Sequence, residues 1–424
     1  MKKYNKETLC VQAGYKPENG QPRVLPIYQS TTYKYDSAEH LGKLFDLEAD
    51  GHMYSRISNP TVAAVEEKIS LLEGGVGALC TSSGQAANLL AILNITSSGE
   101  NFISLSSIYG GTINLFAVTL KKLGIEVRFI TPDMTEEQIE ALFDDKTKLV
   151  FGETIANPAL DVLDIEKYAS LAHSHGIPLV VDNTFATPVL CNPFDFGADI
   201  VVHSTTKYMD GHATVVGGVV VDSGNFDWNN GKFPGLTTPD ESYHGVVYTE
   251  SFGKAAYITK ARVQLMRDFG TTMNATAAFI LNMGLETLHL RMKRHCDNAL
   301  AVAKYLENND KIAWVKYPKL DSSKDKALCD KYLPDGACGV ISFGVKGGRE
   351  AAMKFMDSLE LAQIVVHVAD ARTCVLHPAS TTHRQLTDEQ LVDAGISADL
   401  IRMSIGIENV SDIISDIENA LAKL

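Results

Sequence analysis

The stretch LVVDNTFATPVLCNPFDFGADIVVHSTTKYMDGH, residues 179–212, decides the fold. It holds two short apolar runs, Leu179–Val181 and Ile200–Val202. Both are short, β-branched and bounded by turn residues, so both read as buried strands. Each run stops abruptly at polar side chains. Asp182 follows the first, and His203-Ser204-Thr205-Thr206-Lys207 follows the second. In open parallel α/β sheets ligands bind beyond the carboxyl ends of the strands. An acid and a lysine therefore emerge together where such a sheet places its chemistry.

The neighbouring sequence repeats the alternation. Leu149–Phe151 reads as another buried strand, followed by Glu153, Thr154 and Asn157. Ile165–Ala172 has helical periodicity, with Asp164 as N-cap and Gly176 as stop. Val62, Val65, Ile69 and Leu72 mark a helix from Thr61 that Gly74-Gly75 end. Val215–Val221 reads as a further strand. Alternating strand and helix predicts an α/β fold with a large, mostly parallel sheet. Residues 223–248, rich in Gly, Asn, Pro and aromatics, read as a long ordered loop. A long helical stretch follows from about 255 to Leu306. Val340–Val345, Ile364–Val368, Thr373–Leu376 and Ile401–Ile405 then read as strands, with a closing helix from Ser411, giving a smaller C-terminal α/β domain. The expected division is an N-terminal arm over 1–60, a ligand-binding domain over 61–255 and a C-terminal domain over 256–424.

Composition narrows the function. Of 424 residues, 38 are Lys or Arg and 52 are Asp or Glu, a formal charge of −14. A nucleic-acid binder needs a basic surface to neutralise phosphates, so that class is disfavoured. No run approaches the roughly 18 apolar residues of a membrane span. The seven cysteines are widely spaced and form no CxxC, which predicts reduced thiols and a cytoplasmic protein. His203, His212, His377 and His383 lack metal-ligand spacing, so they read as structural and no metal is expected. No Gly-Lys pair continues into a Walker A loop, because Lys43, Lys232 and Lys254 are followed by Leu, Phe and Ala. The glycine cluster at 74–77 lacks its third glycine, because Cys80 stands there.

The remaining candidates form a set. Burial lowers a lysine's pKa and makes Lys207 a nucleophile toward aldehydes. A carboxylate such as Asp182 is costly inside a site unless it meets a cation, and a protonated pyridine nitrogen is one. Thr81-Ser82-Ser83-Gly84-Gln85 precedes a helical run, so free backbone N–H groups and a positive dipole end can hold a phosphate there. Tyr109, at the end of the strand-like Phe102–Leu105, could stack on a flat ring.

These residues lie in blocks that resemble the Cys/Met-metabolism family of pyridoxal-phosphate enzymes, of fold type I with an aminotransferase-like architecture. The blocks are MYSRISNPT at 53–61, TSSGQAA at 81–87, IYGGTINLF at 108–116, ETIANP at 153–158, VVDNTFATP at 180–188, HSTTKYMDGH at 203–212, HPASTTH at 377–383 and IRMSIGIEN at 401–409. They run through nearly the whole chain in the family's order. Within the family the chain is most similar to the O-acetylhomoserine sulfhydrylases. YGGTINLF and the insertion FDWNNGKFPGLTTPDESYHGVVY at 226–248 carry that likeness.

The resemblance implies pyridoxal 5'-phosphate as cofactor and a role for each position. Lys207 would bind the cofactor aldehyde as a Schiff base, and Asp182 would face the pyridine nitrogen. Tyr109 would stack on the ring, and Asn157 would lie near its phenolic oxygen. Gly84, Gln85, Ser204 and Thr206 would hold the phosphate. Tyr54 and Arg56 would reach the phosphate of a neighbouring subunit, within a homotetramer built as a dimer of dimers. Arg402, with Thr373, would bind the substrate carboxylate. Lys207, Tyr109 and Tyr54 would be catalytic. The implied reaction is γ-replacement on O-acetyl-L-homoserine by sulfide or methanethiol, giving homocysteine or methionine and acetate. Cystathionine γ-synthase and methionine γ-lyase are the alternatives on the same fold. Gly111 stands where methionine γ-lyases carry a cysteine, and Met53 where cystathionine γ-synthases carry an acid. Arg372 stands where the family often has Lys or Glu, with no role assigned.

Overall fold

The computed structural model describes residues 4–381, 384 and 397–424. Seven strands build the larger sheet: β1 (Gly77–Thr81), β2 (Asn101–Leu105), β3 (Glu126–Ile130), β4 (Thr147–Glu153), β5 (Leu179–Asp182), β6 (Ile200–His203) and β7 (Gly218–Asp222). Their order is β1-β7-β6-β5-β4-β2-β3. The predicted strands at 149–151, 179–181 and 200–202 are β4, β5 and β6. They pair in parallel, Glu153 beside Asp182 and Asp182 beside Val202. Helices cover both faces of a parallel sheet, and accordingly β4 and β6 are buried throughout. Phe102, Phe116 and Phe151 pack edge to face beneath β2 and β4, at 4.9 and 5.0 Å between ring centres. Each such contact adds about 0.5–1.5 kcal/mol beyond the area buried.

The strand predicted at 215–221 begins only at Gly218 and runs antiparallel to both β1 and β6. A parallel return needs a crossover of about a dozen residues or more, usually a helix. Residues 204–217 are instead taken up by the polar turn that carries Lys207. The antiparallel insertion leaves β1 pointing the same way as β6, so the carboxyl ends of β1, β4, β5 and β6 share one edge. Strands β1 and β3 escape the sequence patterning. β1 is five residues long and buried from Ala78 onward, so it carries no alternation, and β3 is an edge strand with mixed polarity.

The helices confirm their caps. Pro60–Glu73 starts at Asn59, whose side chain accepts from Thr61 N, and stops at Gly74 at φ +82°. Ile165–Ser174 starts at Asp164, whose side chain accepts from Lys167 N. The long stretch beyond 255 is several helices. Gly270 at φ +68° ends one, and Asn274 caps the next, Ala275–Glu286. Between them Thr272 bridges to Thr81, at the end of β1. Leu288–Glu307 follows after Thr287. Residues 223–248 are ordered by their aromatics. Trp228, Phe233, Leu236, Tyr243 and Tyr248 are buried, and Trp228 stacks on Tyr257 at 5.2 Å.

Among the described residues the second sheet has five strands: β8 (Ile312–Lys316), β9 (Val340–Val345), β10 (Gln363–Ile364), β11 (Cys374–Leu376) and β12 (Leu400–Ser404), in the order β10-β11-β12-β9-β8. Only β10 and β11 pair in parallel. The strand expected over 364–368 is just Gln363–Ile364, because it forms the sheet edge with one neighbour, and Val366 is 72% exposed. In the N-terminal segment, Lys6–Gln12 is helical and buries Cys10. All seven cysteines are buried free thiols. Among the described residues no helix is long and apolar enough to cross a membrane.

Candidate active site

The shared strand edge gathers the predicted acid, lysine and helix N-terminus. Lys207 sits in the turn after β6, where its N–H donates to Ser204 O at 3.2 Å and its carbonyl accepts from Gly211 N at 2.7 Å. Burial, then the nearby Arg402 charge, lowers its pKa to about 8. Asp182 ends β5 and accepts from Thr184 N at 3.0 Å and from the Thr184 hydroxyl. Burial still pushes its carboxyl upward, against those hydrogen bonds. No lysine or arginine forms an ion pair with it among the described residues. A carboxylate placed so pays desolvation without a cation in contact. It fits a partner that brings its own positive charge.

The anion cradle forms where β1 runs into the helix Gly84–Leu93. Ser83 is the N-cap, its side chain accepting from Ala86 N at 3.1 Å. The first-turn N–H groups of Gly84 and Gln85 thus remain for another acceptor. Gly84 lies so close to Ser204 that a β-carbon would meet Ser204 Cβ at 2.6 Å. This contact brings the β6 turn against the helix N-terminus. Gln85 donates to Thr112 Oγ1 at 3.5 Å, while its Oε1 is buried without a partner. Ser204 N donates to Thr184 Oγ1 at 2.9 Å. The Thr206 hydroxyl exchanges hydrogen bonds with Gly217, at 3.2 and 3.0 Å.

Tyr109, the residue just before the next helix, is 48% exposed, and its N–H donates to Glu153 Oε1 at 2.7 Å. Arg402, on β12, donates from Nη1 to Asn157 Oδ1 at 3.2 Å. Arg402 Nε is buried and unpartnered. An arginine fork with a free edge suits a carboxylate. The Thr373 hydroxyl donates to Glu408 Oε2 at 2.9 Å and accepts from Gly406 N at 2.9 Å, so it is committed to the loop after β12. Arg372 pairs with Asp370 at 2.8 Å and donates to His212 O at 3.2 Å. Tyr54 and Arg56 stand with the N-terminal segment. They line a cavity of about 290 Å³ with Gln29, Asn59, Thr272 and Asn274. Arg56 lies 5.4 Å from the centre of the Tyr54 ring and donates to Arg267 O. Neither bonds to Lys207, Asp182 or Gly84 among the described residues.

Several supports were not legible in the sequence. Glu153 binds the backbone N–H groups of both Tyr109 and Asn157, joining the two loops. Burial, then Asp182, holds its carboxyl well above the usual range. Buried Arg291 donates to Tyr208 O at 2.7 Å and to Gly284 O at 2.6 Å, pinning the turn just past Lys207. His203 pairs with Glu73 at 2.6 Å, and Glu73 also accepts from Asn183 and Asn192. That confirms a structural histidine. His212 and His377 are likewise hydrogen-bonded to backbone carbonyls, of Asp210 and Ala398. His383 lies outside the described residues. His367 had no signal: it follows an edge strand of two residues, and its ring nitrogen Nδ1 lies 3.5 Å from Lys207 Nζ.

An amine of lowered pKa, an acid without a cation and a helix N-terminus free to bind an anion converge on one edge of an α/β sheet. These are the parts of an enzyme built around a phosphorylated pyridine aldehyde. The chain belongs to the Cys/Met metabolism PLP-dependent enzyme family, which it matches over residues 7–422, and its cofactor is pyridoxal phosphate. It is 44% identical to an O-acetyl-L-homoserine sulfhydrylase of Leptospira meyeri, over 99% of this chain and 97% of that one. It is 47% identical to a homocysteine synthase of Schizosaccharomyces pombe, over 98% and 97%. A crystal structure from Campylobacter jejuni, named for an O-acetylhomoserine (thiol)-lyase and bearing a pyridoxyl-lysine monophosphate, superposes with a TM-score of 0.95. It is 37% identical, over 99% of this chain and 100% of that one.

Proposed function

We propose that this protein catalyses γ-replacement on O-acetyl-L-homoserine, with sulfide or methanethiol as acceptor, giving L-homocysteine or L-methionine and acetate. The observation that carries the reading is full-length similarity to proteins named for that chemistry, in a chain that keeps Lys207, Asp182 and Arg402. The same similarity favours sulfhydrylation over the cystathionine γ-synthase and methionine γ-lyase alternatives. Gly111 agrees: a β-carbon there would meet Tyr109 Cε1 at 2.5 Å and Gln85 Nε2 at 3.0 Å. A cysteine at that place would displace the tyrosine ring.

When bound, the cofactor supplies a covalent handle for the substrate amino group and a sink for the electrons of a broken C–H bond. Lys207 would anchor it, Asp182 would offer the anion for its ring nitrogen, and Tyr109 would cover its ring. Gly84, Gln85, Ser204 and Thr206 would hold its phosphate, and Asn157 would serve its phenolic oxygen. Arg402 grips the substrate carboxylate, with Thr373 beside it, which turns the Cα–H toward Lys207. Lys207 Nζ would take the proton of substrate Cα, pass it back to the bound substrate and then take one from Cβ as acetate leaves Cγ, and after sulfide has added at Cγ the transfers would run in reverse. A lysine pKa near 8 leaves much more neutral amine at physiological pH than an ordinary lysine has.

The proposal extends to assembly. The arm over 1–60 carries Tyr54 and Arg56 to the phosphate of a neighbouring subunit, residues 61–255 bind the cofactor, and residues 256–424 form the second domain. The assembly is a homotetramer in the cytoplasm. The test offers O-acetyl- and O-succinyl-L-homoserine, each with sulfide or cysteine. Homocysteine from the acetyl ester and sulfide is the expected product. Preferential cystathionine formation would overturn the reading. Lys207→Ala should lose turnover and the borohydride-fixed cofactor label together.

A further inference from the structure

His367 stands beside Lys207 by construction of the backbone around it. On one side Val365 N donates to Val375 O at 3.3 Å. On the other, Ala369 N donates to Ser404 Oγ at 2.7 Å and Ala371 N to Gly211 O at 2.9 Å. Its own carbonyl accepts from Cys374 Sγ at 3.3 Å. The segment is thus tied to β11, to β12 and to the turn that carries Lys207. Nδ1 of the ring lies 3.5 Å from Lys207 Nζ, at the outer edge of hydrogen-bond range. Among the described residues it is the only hydrogen-bond partner of that amine. The other ring nitrogen, Nε2, is buried and unpartnered.

The surroundings keep the ring neutral. Burial, then the Lys207 charge and more weakly Arg402, lowers the His367 pKa to about 4, against the opposite pull of Asp370 and Asp210. A neutral imidazole has one acceptor nitrogen. An ammonium at Nζ has only donors to offer it, so toward the charged amine Nδ1 accepts and Nε2 carries the proton, and the neutral amine can donate to the same tautomer.

We propose that His367 is a positioning residue: Nδ1 accepts a hydrogen bond from Lys207 Nζ whenever that amine is free of the cofactor, and so aims it for its proton transfers. A flexible four-carbon stem otherwise leaves the amine many rotamers, and each misaimed one slows transfer. This rests on the proposed γ-replacement for its substrate, but the contact can be tested without that substrate.

The test uses wild type, His367→Ala, His367→Asn and His367→Gln. An asparagine oxygen occupies roughly the place of Nδ1, and a glutamine places its amide near Nε2. Apoprotein of each is mixed with pyridoxal phosphate, and formation of the borohydride-trappable bond to Lys207 is timed. The Ala and Gln proteins should react about tenfold more slowly, and Asn within about threefold of wild type. In turnover of O-acetyl-L-homoserine, Ala should lose about 10–100-fold in kcat with KM changed less than about threefold. Solvent exchange of the substrate α-proton should fall in parallel. Bound-cofactor absorbance and melting temperature would show that each variant is folded. Wild-type trapping rates in His367→Ala, or rescue by Gln as good as by Asn, would overturn the assignment. A wild-type protein that ignores O-acetyl-L-homoserine yet shows the trapping differences would sink the proposed reaction and spare His367.

Discussion

Asp182 shows how one residue's surroundings select its partner. Among the described residues its oxygens receive only local donors from Thr184, and burial pushes its pKa upward. A cationic ring nitrogen supplies what the protein withholds. Asp182→Asn should fold, retain cofactor and lose about 10²–10⁴-fold in kcat, the range of an acid–base contribution. Steady-state kinetics with the cofactor absorbance as control checks it. Lys207 gives a pH prediction. Its pKa is lowered from the ordinary 10.5 to about 8, so the neutral, nucleophilic amine is the minor form below pH 8. Cofactor uptake by the apoprotein should therefore fall about tenfold per pH unit on the acid side and level off above about 8. A stopped-flow pH series locates the midpoint, and a limb that keeps rising toward 10.5 would contradict the lowered value. Asp182 was legible in sequence because it ends an apolar run, and Lys207 because it closes the polar stretch just after the next run. His367 was not, since its relevance comes only from a neighbour 160 positions away.

At the scale of elements, the cradle depends on two backbones in near contact. The helix from Gly84 starts against the turn after β6, with no room between them for a side chain. Gly84→Ala forces a β-carbon to within 2.6 Å of Ser204 Cβ. Overpacking of this kind costs about 1–3 kcal/mol. If that strain falls on the phosphate site, cofactor affinity drops about 5–150-fold. Equilibrium titration of the apoprotein reads it, and unchanged affinity would separate this contact from the phosphate. The capped helices and the parallel strands were readable because local spacing and capping chemistry encode them. The antiparallel β7 was not. Its direction goes with a return that forms no crossover helix after β6, a matter of chain geometry that apolar patterning does not carry.

For the whole molecule, Tyr54 and Arg56 line a cavity with Thr272 and Asn274 and make no hydrogen bond to Lys207 among the described residues. If they serve a neighbouring subunit, each site combines two chains. Lys207→Ala and Arg56→Ala proteins, each impaired, should then regain activity when unfolded and refolded together. Random pairing in dimers gives half mixed dimers with one intact site of two, about a quarter of wild-type activity. No recovery beyond the sum of the parts would place both groups in one chain's site. Light scattering of the same samples reports whether the assembly is a tetramer. The sequence by itself determined the alternation of strand and helix, the buried β4, β5 and β6, and the residues at their ends, because burial on both faces and capping are written in local residue types. Tertiary structure alone decided that Glu153 joins Tyr109 to Asn157, that Arg291 braces the turn after Lys207 and that His367 meets the lysine. Those contacts depend on strand neighbours, on a helix laid against the turn after β6 and on the second domain's edge meeting that turn, which only the folded chain brings within hydrogen-bond reach.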